Sequence, residues 1–273
     1  MSVRPDWLMM SVVVLLGGVL MSQRGSAMDE VGVVDQWHDF PTGRTIEFSG
    51  YTWRVKGLDA ETTYGPGGFP FGPTEESVWV DEQGRLHLQV VEIDGVWYSA
   101  EVRLTEALGY GDYRFTTRGR VDDLDPNLIF GLFIWEYQAS YEGIEDSNVA
   151  NEFDIEFGTW KDPDRAPAQF VCQPWQRKEN LHPYWFSLKD DEALSTHAFR
   201  WRPDGVDCRS WRGGAESETD AEARLTTWTY EGPDIPTGSP QVHLNLWCLN
   251  EPPARGASQT VVIERFEFVP YEK

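Results

Sequence analysis

The chain has 273 residues, a formal net charge of −22, and 14% aromatic residues, including 13 Trp. So many ring-bearing side chains exclude intrinsic disorder. The acidic balance argues against nucleic acid and anionic membranes as partners and leaves room for a neutral one, such as an uncharged polysaccharide.

Residues 8–21 form an apolar run of signal-peptide length, short for a membrane span. Arg4 precedes the run, and Gly25-Ser26-Ala27 supplies small residues after it. Residues 1–27 therefore read as a secretory signal cleaved near Ala27, with an uncleaved anchor as the alternative. The location that follows is secreted or cell-surface. No linker breaks residues 36–273, so residues 28–273 read as one domain, expected to act as a monomer.

Period-2 alternation dominates after residue 45. Val78–Val80, a turn at 81–84 and Leu86–Val90 read as a hairpin with one buried face. Further strands are predicted at 97–104, 111–121, 128–135, 152–157, 168–173, 196–202, 206–211, 241–248 and 260–269. The best helical stretch, 217–224, is short and polar. Frequent Gly and Pro punctuate these runs (25 and 17 residues) and supply turns between short strands. The pattern predicts an all-β fold, a jelly-roll sandwich of two antiparallel sheets. Cys172, Cys208 and Cys248 have no zinc-type spacing. They allow one disulfide and a leftover thiol, with a buried free thiol expected for at least one.

The run Asn151-Glu152-Phe153-Asp154-Ile155-Glu156-Phe157 carries the chemistry. Residues i, i+2 and i+4 of a strand share a face. Glu152, Asp154 and Glu156 therefore point one way, and Phe153, Ile155 and Phe157 point into the core. The two Glu Cα atoms stand roughly 13 Å apart along an extended strand. Glu side chains leaning inward shorten that gap toward the ~5–5.5 Å between carboxyls that retaining glycosidases use. A short Asp between them can share a proton and set their pKa values apart. The plain alternative is a solvated acidic face, against which stands the depletion of acidic residues in strands.

This run resembles the E-x-D-x-E signature of glycoside hydrolase family 16. Other segments follow the family's order: Tyr110-Gly111-Asp112-Tyr113, Phe133-Ile134-Trp135, Thr196–Asp204 (THAFRWRPD) and Leu244-Asn245-Leu246-Trp247. The resemblance spans roughly residues 50–270 and implies a concanavalin A-like jelly roll. It implies Glu152 as nucleophile, Glu156 as general acid/base and Asp154 as the residue that orients the nucleophile and modulates its charge. The uninterrupted spacing is like that of lichenases and transglycosylases. Phe153 replaces the usual aliphatic residue, which is expected to alter packing and leave the chemistry intact.

Clefts for sugars combine aromatic platforms with amides and carboxylates. Candidate substrate-binding residues are Trp135, Trp160, Gln173, Trp175, Asn245 and Trp247, and loops 59–74 and 176–195 are expected to shape the cleft. His197 reads as a structural histidine. No cofactor is expected. Some members of the resembled family hold a structural calcium with a late acidic residue, and Glu264 stands near the place where Asp is usual, which leaves calcium open. The function implied is a secreted, endo-acting, retaining glycosidase on a β-linked polysaccharide of β-glucan type. The alternatives are a transglycosylase using the same site and a non-catalytic lectin-like domain.

Overall fold

The computed structural model describes residues 44–57, 66–136, 148 and 150–272. The expected signal at 1–27 and part of loop 59–74 lie outside the described residues. The strands, in chain order, are β1 (Thr45–Phe48), β2 (Tyr51–Val55), β3 (Val78–Val80), β4 (Leu86–Ile93), β5 (Val96–Tyr98), β6 (Ala100–Leu104), β7 (Gly111–Arg118) and β8 (Leu128–Trp135). They continue with β9 (Phe153–Phe157), β10 (Ala168–Cys172), β11 (Leu181–Tyr184), β12 (Leu194–Arg202), β13 (Gly205–Arg212), β14 (Arg224–Tyr230), β15 (Gln241–Cys248) and β16 (Gln259–Pro270).

They assemble into two antiparallel sheets. One runs β1-β2-β6-β15-β8-β9-β10-β11; the other runs β14-β13-β12-β7-β16-β4-β3, with β5 paired to β4. This is the expected jelly-roll sandwich. The inner faces meet in an aromatic core. Phe153 packs tilted against Phe199 of the other sheet at 5.0 Å between ring centroids, and Phe130 stacks on its neighbour Phe157 at 5.4 Å. Phe153, Ile155 and Phe157 are fully buried, each contributing about 1.5–3 kcal/mol of apolar transfer free energy. The packing role expected of Phe153 is therefore what the core shows. β8 is apolar on nearly every residue because its outer face is covered as well.

Several elements depart from the sequence reading. The predicted strand 97–104 divides at Ser99, which exchanges backbone hydrogen bonds with Pro70 and Gly72 while the chain passes from one sheet to the other. The polar stretch 217–224 forms turns after a short 3-10 segment at Ala215–Ser217, and the strand that follows, β14, packs Trp228 inward. β1, β2 and β11 also form strands. The hairpin at 81–84 forms as expected, with Gly84 N–H donating to Asp81 C=O at 2.9 Å. Among the described residues no helix is long and apolar enough to cross a membrane. All three cysteines are free and buried.

Candidate active site

The outer face of the first sheet carries the carboxylates. Cross-strand register puts Glu156 between Gly131 of β8 and Gln169 of β10, and Asp154 between Phe133 and Val171. β15 continues these rows with Asn245 opposite Gly131 and His243 opposite Phe133. Glu101 of β6 stands beyond Asn245. Glu152 is the residue just before β9. The parity argument thus holds: the core-facing side chains of β9 are aromatic or aliphatic, and the opposite face holds the acids.

Each carboxylate has a different partner. Gln173 Nε2 donates to Asp154 Oδ2 at 2.9 Å. Gln169 Nε2 donates to Glu156 Oε2 at 2.7 Å, and Gln169 Oε1 accepts from Arg165 at 2.8 Å. Asp154 and Glu152 share a hydrogen bond with each other.

Asp154 is 4% exposed. Burial lifts its carboxyl well above the usual carboxylate range, the charges of Glu152 and Glu156 add to this, and the Gln173 amide opposes it. Burial also raises Glu152, to about 7; the hydrogen bond with Asp154 opposes the rise and the Glu156 charge adds to it. Glu156 is raised by burial too, against the Gln169 hydrogen bond and the Arg165 charge. The hydrogen bond between them favours a proton on Asp154 and a negative charge on Glu152. The site can therefore hold an ionised carboxylate and a protonated carboxyl side by side, as acid–base chemistry requires.

The remaining candidate residues fall around this centre. Trp175 is 52% exposed and its backbone N–H donates to Gln173 Oε1 at 3.0 Å. Trp160 carries the Arg165 guanidinium 4.1 Å from its ring centre, so the chain Trp160–Arg165–Gln169–Glu156 is continuous. Trp135, at the end of β8, sets its ring edge-on to His243 at 5.9 Å. Trp247 is partly buried under the turn at Gly67, where an added Cβ would come within 2.9 Å of the indole. Asn245 is 4% exposed, and its buried Oδ1 accepts no hydrogen bond from the described residues. It points at Gly131, where an added Cβ would lie 2.6 Å away.

Gln169 was missed by sequence reasoning, although it shares parity with Gln173 in QFVCQPW. Arg165 and Asn148 lie in irregular segments and gave no periodic signal.

Farther along the face, Lys56 Nζ and His243 Nδ1 each lie 2.9 Å from a Glu101 carboxylate oxygen, all three buried. Burial alone would raise Glu101, yet Lys56 and His243 hold its carboxyl down to about 2. His197 lies in the core between the Ser195 and Ser210 hydroxyls at 2.9 and 2.8 Å. Burial lowers its pKa to about 3, so it stays neutral in its structural place, as expected.

The Glu264 carboxylate accepts from Arg118 Nε at 2.7 Å.

No protein-family model and no curated protein sequence matches the chain. Solved structures do match. A prokaryotic β-1,3-1,4-glucanase (lichenase) from a mouse hindgut metagenome has 18% identity, covers 80% of this chain and 93% of its own, and gives a TM-score of 0.53. A protein of Mycobacterium tuberculosis described as an immunostimulatory antigen and pseudo β-1,3-glucanase has 14% identity, coverage of 81% and 91%, and a TM-score of 0.54. A Zobellia galactanivorans protein solved with laminaritriose and laminaritetraose has 9% identity, coverage of 79% and 91%, and a TM-score of 0.51. The chain has a glycoside hydrolase family 16-like fold.

Proposed function

We propose that this chain is an exported glycoside hydrolase that cleaves a β-glucan-type polysaccharide by double displacement, acting within the polymer. Fold alone does not assign activity. The observation that carries the reading is the carboxylate row with three distinct sets of partners. Glu156, its pKa raised by burial and its carboxyl held in place by Gln169, donates a proton to the glycosidic oxygen. Glu152 attacks the anomeric carbon and the leaving sugar departs as an alcohol. In the second step Glu156 takes a proton from water, which attacks the same carbon and releases Glu152. Asp154 carries the shared proton, so that Glu152 keeps its charge in a buried setting. Trp175 and Trp135 supply aromatic faces beside the site, and the amide of Asn245 faces the same cleft. Both steps run on carboxylates, with no cofactor, in a monomer.

The lichenase and the laminari-oligosaccharide complex among the structural neighbours support a β-glucan as substrate class. The apolar run at 8–21, with small residues after it, supports export. A second reading, glycan binding without cleavage, is favoured by one observation: a protein described as a pseudo β-1,3-glucanase shares the fold.

A panel of β-glucans read for new reducing ends and oligosaccharide products separates the two. Glu152→Gln and Glu156→Gln are each expected to lower turnover at least about 10²-fold with the fold intact by circular dichroism. Affinity for a glucan with no bond cleavage by the wild type would overturn the hydrolase reading. Oligosaccharide added as acceptor distinguishes transglycosylation, which gives lengthened products.

A further inference from the structure

β10 pairs with β9 only as far as Cys172 opposite Phe153. At Gln173 the chain bends, and Gln173 N–H makes the last backbone hydrogen bond of this pair, to Glu152 C=O at 3.3 Å. The peptide of Glu152, the proposed nucleophile, therefore sits at the very end of the ladder, one residue beyond the regular pairing.

A side chain secures this peptide further. Glu152 N–H donates to Asn148 Oδ1 at 2.7 Å, and Asn148 Nδ2 donates to Glu152 C=O at 2.9 Å. The second Nδ2 hydrogen goes to Asp234 C=O, also at 2.9 Å. The amide faces two carbonyls with its nitrogen and one N–H with its oxygen, which fixes its orientation.

Asp234 is itself immobilised. Its carboxylate accepts from Arg177 Nη1 at 2.7 and 2.6 Å, Asn180 Nδ2 at 3.0 Å and the Tyr230 hydroxyl at 3.2 Å. Its carbonyl also accepts from Cys172 Sγ at 3.1 Å. Three residues on, the same segment grips the other side of the strand start. Thr237 N–H donates to Asn151 Oδ1 at 2.9 Å, and both Asn151 Nδ2 and Ser239 N–H donate to Glu136 Oε2, at 2.7 and 3.0 Å.

We infer that Asn148 is a positioning residue for Glu152: its amide holds both the N–H and the C=O of that residue where the strand ladder ends, and the segment 234–239 braces it. The inference rests on the proposed role of Glu152, since a fixed peptide matters to rate only if that side chain attacks. Displacing a reacting group by about 1 Å costs on the order of 10²-fold in rate.

Two variants test it, with readouts that do not depend on activity. Asn148→Leu removes all three hydrogen bonds at similar volume. Asn148→Asp keeps the acceptor for Glu152 N–H, loses both donors and adds a like charge. In Asn148→Leu, Glu152 amide exchange followed by NMR is expected to speed up at least about 10-fold while Ile155 stays protected. Turnover is expected to fall roughly 10- to 100-fold with KM within about 3-fold. In Asn148→Asp the amide stays protected and the Glu152 carboxyl, followed by 13C titration, moves up. Unchanged Glu152 exchange in Asn148→Leu, or an unchanged Glu152 titration in Asn148→Asp, would overturn the inference. Exchange and titration that move as expected in a protein without glycosidase activity would uphold the brace and sink the function instead.

Discussion

Asp154 binds its proton more tightly in the folded chain than in the unfolded one, because burial and two neighbouring carboxylates raise its pKa. The folded state then carries more protons than the unfolded state, so this residue's contribution to stability declines as pH rises above the ordinary Asp range. Asp154→Asn removes that penalty. The melting temperature of the variant is expected to exceed the wild type by roughly 2–6 °C at pH 8 and to match it near pH 4, measured by calorimetry at both values. Turnover falls on the order of 10²-fold, because Glu152 loses the partner that carries the proton. The alternation of acids and rings was legible because parity is local to one strand. Partner choice was not. Gln173 could be placed on the right face from its spacing, but only the register of β10 on β9 shows that its amide meets Asp154 and that Gln169 meets Glu156.

Between strands, the pair β8–β15 sets how close Asn245 approaches the acids. Gly131 stands beside Glu156 and beneath the Asn245 amide, and has no room for a Cβ. Gly131→Ala is expected to push Asn245 aside at a cost of about 1–3 kcal/mol, read as a lower urea midpoint. KM for glucan should rise as well. A wild-type midpoint and KM would show that Asn245 gives way freely. Central strands such as β8 and β15 were legible because burial stamps a strong pattern on them. The edge strands β11 and β14 were not: β11 has Pro183 in it and covers only four residues, and β14 mostly alternates between exposed and half-buried positions. The break at Ser99 was also hidden, since Val96–Leu104 is continuous in pattern and its two halves serve different sheets.

At the scale of the whole molecule, the sandwich could be read from many short strands separated by turns, but the order of strands within each sheet could not. β15 lies between β6 and β8, with His243 paired to Arg103 and to Phe133. Such long-range pairing is fixed by complementary inner faces, which no local window contains. The charge of −22 acts at this scale too. An anionic substrate must approach against it. Carboxymethylated β-glucan is expected to be cleaved several-fold more slowly than a neutral β-glucan at 10 mM salt, where the screening length is ~30 Å. Most of that difference should vanish near 1 M salt, where the length is ~3 Å. A gap in kcat/KM that does not close with salt would place the discrimination in the cleft.

The three buried thiols give the molecule reporters of its own opening. Cys172 and Cys248 lie on β10 and β15 of one sheet, and Cys208 on β13 of the other. Burial pushes the Cys248 thiol up to about 12, and each thiol is sealed from reagent while its sheet is closed. An alkylating agent therefore labels each site only when that part of the sandwich parts from its neighbour. Mass mapping of the labelled peptides would order the events by which the two layers separate, with no probe added to the chain.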